Sequence, residues 1–268
     1  MPDAALRPVT DREIAPGIHH IEDGLGVCMT LITGRDRALL VDTGYGLADV
    51  AALVRGRTDL PLTVVLTHGH HDHALGARFF PEVWAGPGEA AVLAVYSGPF
   101  WRRRVAASAR ATGQAFDEEE LLRTPMPPVR ELSAETVLDL GGRTARVIPC
   151  PGHTPGSLVV HLPQDGLLLT GDDWNPCTWL FFPEALSARD YLLSVPRLLD
   201  LPFDRVLCSH QGLPQPRALF EAFLAGLTPE ALRSAPPAPE GREHGIDTAA
   251  VQPCEGGRFV FDRRKALG

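Results

Sequence analysis

The chain has 268 residues, a formal charge of −8 and 44% hydrophobic residues, which fits a globular α/β domain with its own core and excludes a disordered chain. The acidic balance argues against general nucleic-acid binding, which rests on clustered Lys and Arg displacing counterions. No apolar run is long enough to span a membrane.

The five cysteines, Cys28, Cys150, Cys177, Cys208 and Cys254, are scattered without a CxxC pair, so buried thiols are expected rather than a disulfide frame or a cysteine zinc cage. Residues 1–8 lack the apolar core of a secretory signal, and a cytoplasmic protein is expected.

In chain order, segments 18–21, 27–33 and 38–42 read as an antiparallel meander closed by Asp42-Thr43-Gly44, and 47–55 as a short helix. The apolar, β-branched run 62–66 reads as a buried strand. At its carboxyl end stands Thr67-His68-Gly69-His70-His71-Asp72-His73. Four nitrogen or oxygen donors fall within six residues where a helix start would fan them around one point, a pattern that suits zinc or a similar divalent ion.

After the motif, 74–80 opens a helix and 83–85 a short strand. Residues 88–123 read as helices over 89–96 and 100–111 with an acidic start to another at 117–120. This helical insertion, taken as about 88–132, is placed to roof the site. Strands 135–140 and 143–148 join through Gly141-Gly142 as a hairpin. Then follow Cys150-Pro151-Gly152-His153-Thr154-Pro155-Gly156-Ser157, strand 158–162, and strand 167–170 ending in Gly171-Asp172-Asp173. Helix 187–199, strand 205–208 ending at Ser209-His210, and helix 216–227 complete a domain over 1–230. Residues 231–268 read as a Pro-rich linker, centred on 234–244, and a final strand at 257–261 packing on the same domain. That strand has two candidate partners, the amino-terminal meander or a second subunit, so a homodimer is one state the sequence leaves open.

Every strong donor, His68, His70, Asp72, His73, His153, Asp172 and His210, lies just beyond a predicted strand. Seven donors are enough for two metal sites. The arrangement resembles the metallo-β-lactamase superfamily: HxHxDH is met by 68–73, and the later family motifs by PGHTPGS at 151–157, GD at 171–172 and SH at 209–210. The resemblance covers about residues 18–225. It implies an αββα sandwich, two mixed sheets face to face with helices outside and the site along one edge.

Carried over by motif, the resemblance implies that His68, His70 and His153 hold one metal, that Asp72, His73 and His210 hold another, and that Asp172 bridges them. Asp42 matches the family carboxylate that orients a ligand from behind. The implied cofactor is two divalent ions, zinc first, with iron or manganese as the other candidates. They would share a hydroxide that Asp72 and Asp172 hold for attack. The expected activity is hydrolysis of a small ester-like substrate, thioester or lactone first. A phosphodiesterase, a mononuclear iron persulfide dioxygenase and a metal-retaining binding or regulatory protein are the alternatives.

His71 falls outside the family pattern and is read as a neighbour rather than a ligand, and Asp173 stays ambiguous. Among the remaining histidines, His19, His20, His161 and His244 read as structural or exposed, and Cys150 and Cys208 as buried thiols. Trp174, Trp179, Phe181 and Phe182 either pack in the core or line a substrate pocket. Arg102-Arg103-Arg104 reads as a solvated helix face or an anion-recognition patch.

Overall fold

Apolar runs buried on both faces need cover on both sides, and in this protein each central sheet has it. The computed structural model describes residues 9–266. The amino-terminal stretch read above for a secretory signal lies outside those residues. The first sheet runs in sequence order through β1 (Thr10–Ala15), β2 (Ile18–Glu22), β3 (Cys28–Thr33), β4 (Ala38–Val41), β5 (Leu62–Val65), β6 (Val83–Ala85) and β7 (Val129–Glu131). Its first four strands pair antiparallel, and β4 to β7 pair in parallel.

Four more strands follow in the second sheet: β8 (Thr136–Asp139), β9 (Thr144–Pro149), β10 (Leu158–Leu162) and β11 (Leu167–Gly171). Strand β12 (Cys177–Leu180) leaves that sheet, while β13 (Arg205–Cys208) and β14 (Gln215–Pro216) complete it, in the order β14-β13-β11-β10-β9-β8.

Alternation along the strands sets the layers. Leu39 and Val41 face Val160, Leu169 and Leu207 across the sandwich, whereas Leu40 and Val64 point outward onto Val50 and Val54 of the helix Val50–Arg55. On the far side of the second sheet, Val159, Leu168 and Val206 pack against Tyr191, Val195, Phe220 and Phe223 from the helical layer. The result is the expected four-layer αββα sandwich.

Three features depart from the sequence reading. The stretch taken as helical to 132 does carry helices Glu89–Tyr96, Pro99–Ala111 and Glu118–Arg123, but its end is β7, whose residues pair in register with Val83–Ala85. Segment 234–244 is not an extended linker: it contains the helix Pro239–Glu243 and buries Ala235 and Ala238. Proline opens that helix at its first turn, where no backbone donor is needed, so a Pro-rich composition misleads.

The tail strand takes neither expected partner. As β16 (Gly257–Asp262) it pairs antiparallel with β15 (Ala249–Cys254) and parallel with β12, forming a third small sheet. Phe259 and Phe261 of β16 are fully buried in the core behind the second sheet, and this burial secures the tail to its own chain.

Candidate active site

The donors converge because their strands end on the same edge of the sandwich. Val65 of β5 leads through Leu66 and Thr67 into the helical turn His71–Ala74. Gly171 ends β11 at φ +53°, where an added Cβ would meet the Thr67 side chain at 2.7 Å. A side chain at 171 would push Asp172 away from the motif. Gly69 has the same function on the other flank, since a Cβ there would meet the backbone of Leu93 at 2.6 Å and block the helix Glu89–Tyr96 from closing over the site.

Ligand atoms of His68, His70 and His153 form one group within 4.8 Å, those of Asp72, His73 and His210 a second, and those of His68, His73 and Asp172 a third that joins them. Asp172 Oδ2 is 3.5 Å from His73 Nε2 and 3.8 Å from His153 Nε2, and Oδ1 is 3.1 Å from His210 Nε2. Asp72 Oδ2 is 3.5 Å from His73 Nε2 and 3.7 Å from His210 Nε2. All seven sequence-predicted residues are therefore brought together.

The hydrogen bonds behind these donors set their tautomers. His153 Nδ1 donates to the Trp179 carbonyl at 2.6 Å, and His73 Nδ1 donates to Asp42 Oδ2 at 2.9 Å. The His70 Nε2 nitrogen donates to Glu184 Oε1 at 2.5 Å, and Tyr96 donates its hydroxyl to the same oxygen at 2.6 Å. Thr67 donates its hydroxyl to Asp42 and so offers its oxygen to His68 Nδ1, 3.1 Å away. Each of these four imidazoles thus spends its N–H on the outer partner and turns a lone pair inward.

Inward-facing lone pairs repel unless a cation lies among them. His68 Nε2 and His73 Nε2 are buried without a hydrogen-bond partner, and His70 Nδ1 faces His153 Nε2 at 2.9 Å. Burial, reinforced by the neighbouring imidazoles, drives the His68 pKa well down and that of His153 to about 4, favouring the neutral, metal-competent form. At His73 burial also works to lower the pKa but is outweighed by Asp72, Asp172 and Asp42, which raise it well above the usual value. The acidic half of the site therefore attracts positive charge, which a divalent ion supplies. This donor set fits divalent metal.

Asp42 is the buried support. It accepts from the Thr67 N–H at 2.7 Å, the Thr67 hydroxyl, His73 Nδ1 and the Ser209 hydroxyl at 3.1 Å. Among the described residues it is the one non-glycine with positive φ, +61°, a conformation Asp tolerates better than most residues.

Sequence reasoning missed two other carboxylates. Glu184 holds His70 from 114 residues away. Glu89 accepts from the N–H groups of Gly69 and Gly156 and from the Thr154 hydroxyl, tying the first motif to the PGHTPGS loop. Asp173, ambiguous in the sequence, is fully turned away from the solvent side: it accepts the His153 backbone N–H at 2.9 Å and so holds that loop.

Above the donors lies a cavity of about 800 Å³. Its walls divide the aromatic residues of 174–182: Trp179 and Phe182 line it, whereas Trp174 and Phe181 are buried in the core. His71 lies in the wall as a neighbour of the donors, 4.6 Å from the Trp101 ring. His244, read as structural or exposed, lines the cavity against Trp179 and Phe182, at 5.2 and 5.5 Å between ring centroids. The helix Pro239–Glu243 carries it there, which its isolated sequence position gave no means of seeing. His20 and His161 do have structural partners, the carbonyls of Gln211 and Pro202. Cys150 and Cys208 are buried, and burial pushes the Cys208 thiol up to about 12.

Such a four-layer sandwich, with overlapping donor triads on one edge beneath a cavity, defines a class of metal-binding αββα proteins. Residues 23–210 match the model of the metallo-beta-lactamase superfamily, and the chain belongs to that superfamily. It is 31% identical over 220 residues to the acyl-coenzyme A thioesterase MBLAC2 of Gallus gallus, covering 74% of this chain and 77% of that protein. Hydroxyacylglutathione hydrolase of Cereibacter sphaeroides is 29% identical over 164 residues, covering 60% of this chain and 52% of that enzyme. Among solved structures, a metallo-beta-lactamase from Pontibacter korlensis superposes with a TM-score of 0.57 at 19% identity, covering 81% of this chain and 97% of that one. The sec-alkylsulfatase Pisa1 from Pseudomonas sp. has a TM-score of 0.61 at 18% identity, and this chain, covered over 84% of its length, spans 43% of that protein. These last two likenesses concern the fold. No helix among the described residues is long and apolar enough to cross a membrane.

Proposed function

We propose that this chain is a dinuclear metal hydrolase of small thioesters, with His68, His70 and His153 holding one divalent ion, Asp72, His73 and His210 the other, and Asp172 shared between them. Zinc suits the imidazole-rich half best. The observation that carries the reading is the inward lone pairs of His68, His70, His73 and His153, each fixed by an outer hydrogen bond, at the floor of a cavity with aromatic walls. Relatives named as an acyl-coenzyme A thioesterase and a hydroxyacylglutathione hydrolase support thioester over lactone or phosphodiester.

Bound divalent ions supply an acidified water near neutral pH and polarise the carbonyl under attack. The side chains do the rest. Asp72 and Asp172, whose carboxylates face the imidazole nitrogens, would help hold the ions and would orient the attacking water with an oxygen left free of metal. Asn175 Nδ2 donates to Asp172 Oδ1 at 3.3 Å and fixes the rotation of that carboxylate. Trp179 and Phe182 exclude bulk water and bury the apolar part of the substrate.

A panel of thioesters, lactones and phosphodiesters assayed with and without chelator tests this. The expected result is thioester turnover that chelator removes and added divalent metal restores. Turnover indifferent to chelator, or none on any thioester, contradicts it.

A further inference from the structure

The cavity wall contains one feature the hydrolytic chemistry does not use. Along the helix Pro99–Ala111 stand three consecutive arginines with three different environments. Arg102 is buried and donates to the carbonyls of Ser97 and Leu121, so it locks the helix to its neighbour. Arg103 is exposed away from the cavity lining. Arg104 lines the cavity and is its single Arg or Lys among the described residues.

Among the described residues Arg104 makes no ion pair, whereas Arg110 of the same helix is paired with Glu118. Its guanidinium lies instead 5.5 Å from the Trp101 ring centre and 5.9 Å from that of Phe100, as expected for a residue three positions after one ring and four after the other on a helix. Trp101 is held by stacking on Tyr96 at 4.9 Å. Phe100, next to the cavity lining rather than in it, is 59% exposed. The chain as a whole carries −8, so an unneutralised cation beside the site favours anions that the rest of the surface repels.

We propose that Arg104, with Phe100 and Trp101, forms a subsite for the phosphate-bearing nucleotide end of the substrate's thiol carrier. This rests on the thioester reading above and assigns the carrier: a coenzyme A-type thiol rather than a glutathione-type thiol. A guanidinium matches phosphate oxygens in a forked geometry, and an exposed aromatic face beside it accepts a stacked base. Glutathione offers carboxylates but no base, which leaves Phe100 unused.

The test compares one acyl group carried on coenzyme A and on pantetheine, which lacks the nucleotide, using the metal-loaded full chain and its Arg104→Gln and Arg104→Lys variants. Wild type is expected to favour the coenzyme A thioester in kcat/KM. That preference should fall about tenfold in Arg104→Gln, the loss of a charge-assisted contact, and recover in part in Arg104→Lys. Binding of adenosine 3′,5′-bisphosphate, followed by calorimetry, should weaken by about the same factor in Arg104→Gln.

An unchanged preference together with unchanged bisphosphate binding overturns the subsite. Dependence on Arg104 confined to a glutathione thioester overturns it as well, because carboxylate is then the partner. If wild type hydrolyses no thioester, the hydrolase reading falls by itself. Bisphosphate binding then decides the subsite alone: weaker binding in Arg104→Gln supports it, and equal binding overturns it.

Discussion

Asp172→Ala is expected to reduce thioester kcat/KM by roughly a thousandfold or more, since in the proposed dinuclear site it removes the carboxylate shared by both halves of a metal clamp worth several kcal/mol. Asp172 is the donor common to the group: its oxygens lie within 4 Å of His73, His153 and His210. It is not a core-packing residue. Its removal leaves Asn175 without the carboxylate it donates to, but Asn175 keeps its own bond to the Cys177 N–H. Far-ultraviolet circular dichroism, and the unfolding midpoints of the two metal-free chains, should therefore stay close to each other while metal content in the variant falls. A variant that keeps full metal content and turnover removes Asp172 from the site.

Asp42→Asn should damage both stability and metal retention. Asn fits the left-handed backbone at φ +61°, so the change is electronic rather than steric. Asp42 receives four donors, two from Thr67 and one each from His73 and Ser209, and an amide can offer only one oxygen to them. One or two buried donors then face an NH₂ group, at a cost of about 2–4 kcal/mol. His73 directly and His68 through the Thr67 hydroxyl lose their orientation. Metal affinity should drop about 10–100-fold, the usual effect of removing such an outer partner. Denaturant unfolding and competition with a chromogenic chelator measure the two effects. Loss of stability with unaltered affinity means Asp42 supports the fold and not the donors.

Why part of this site is legible in sequence follows from where its residues lie. His68, His70, Asp72 and His73 share one turn, and each later donor follows a strand whose apolar run is unmistakable, as in Leu167–Gly171 and Arg205–Cys208. The supporting residues carry no such marker. Glu184 sits in a loop after the aromatic run, and its carboxylate becomes informative only when folding brings it to His70 and Tyr96.

The edge strands are hidden for a related reason. Thr10–Ala15 is mostly exposed and charged, with no apolar alternation, and is held as a strand by pairing with β2. Ala249–Cys254 contains Pro253, which ordinarily argues against a strand, yet it is an edge strand where proline is tolerated. With that strand unread, the third sheet was out of reach, and so was the placement of His244 beside the cavity.

The proposed hydrolysis requires two metal positions acting together as one site. The direct measurement is titration of the metal-free chain with zinc, following thioester hydrolysis and bound metal in the same samples. The expected result is activity that rises with loading and reaches its plateau at about two ions per chain, as a two-metal clamp requires. A single tightly bound iron per chain, with oxygen consumption and no thioester hydrolysis at any loading, would contradict it.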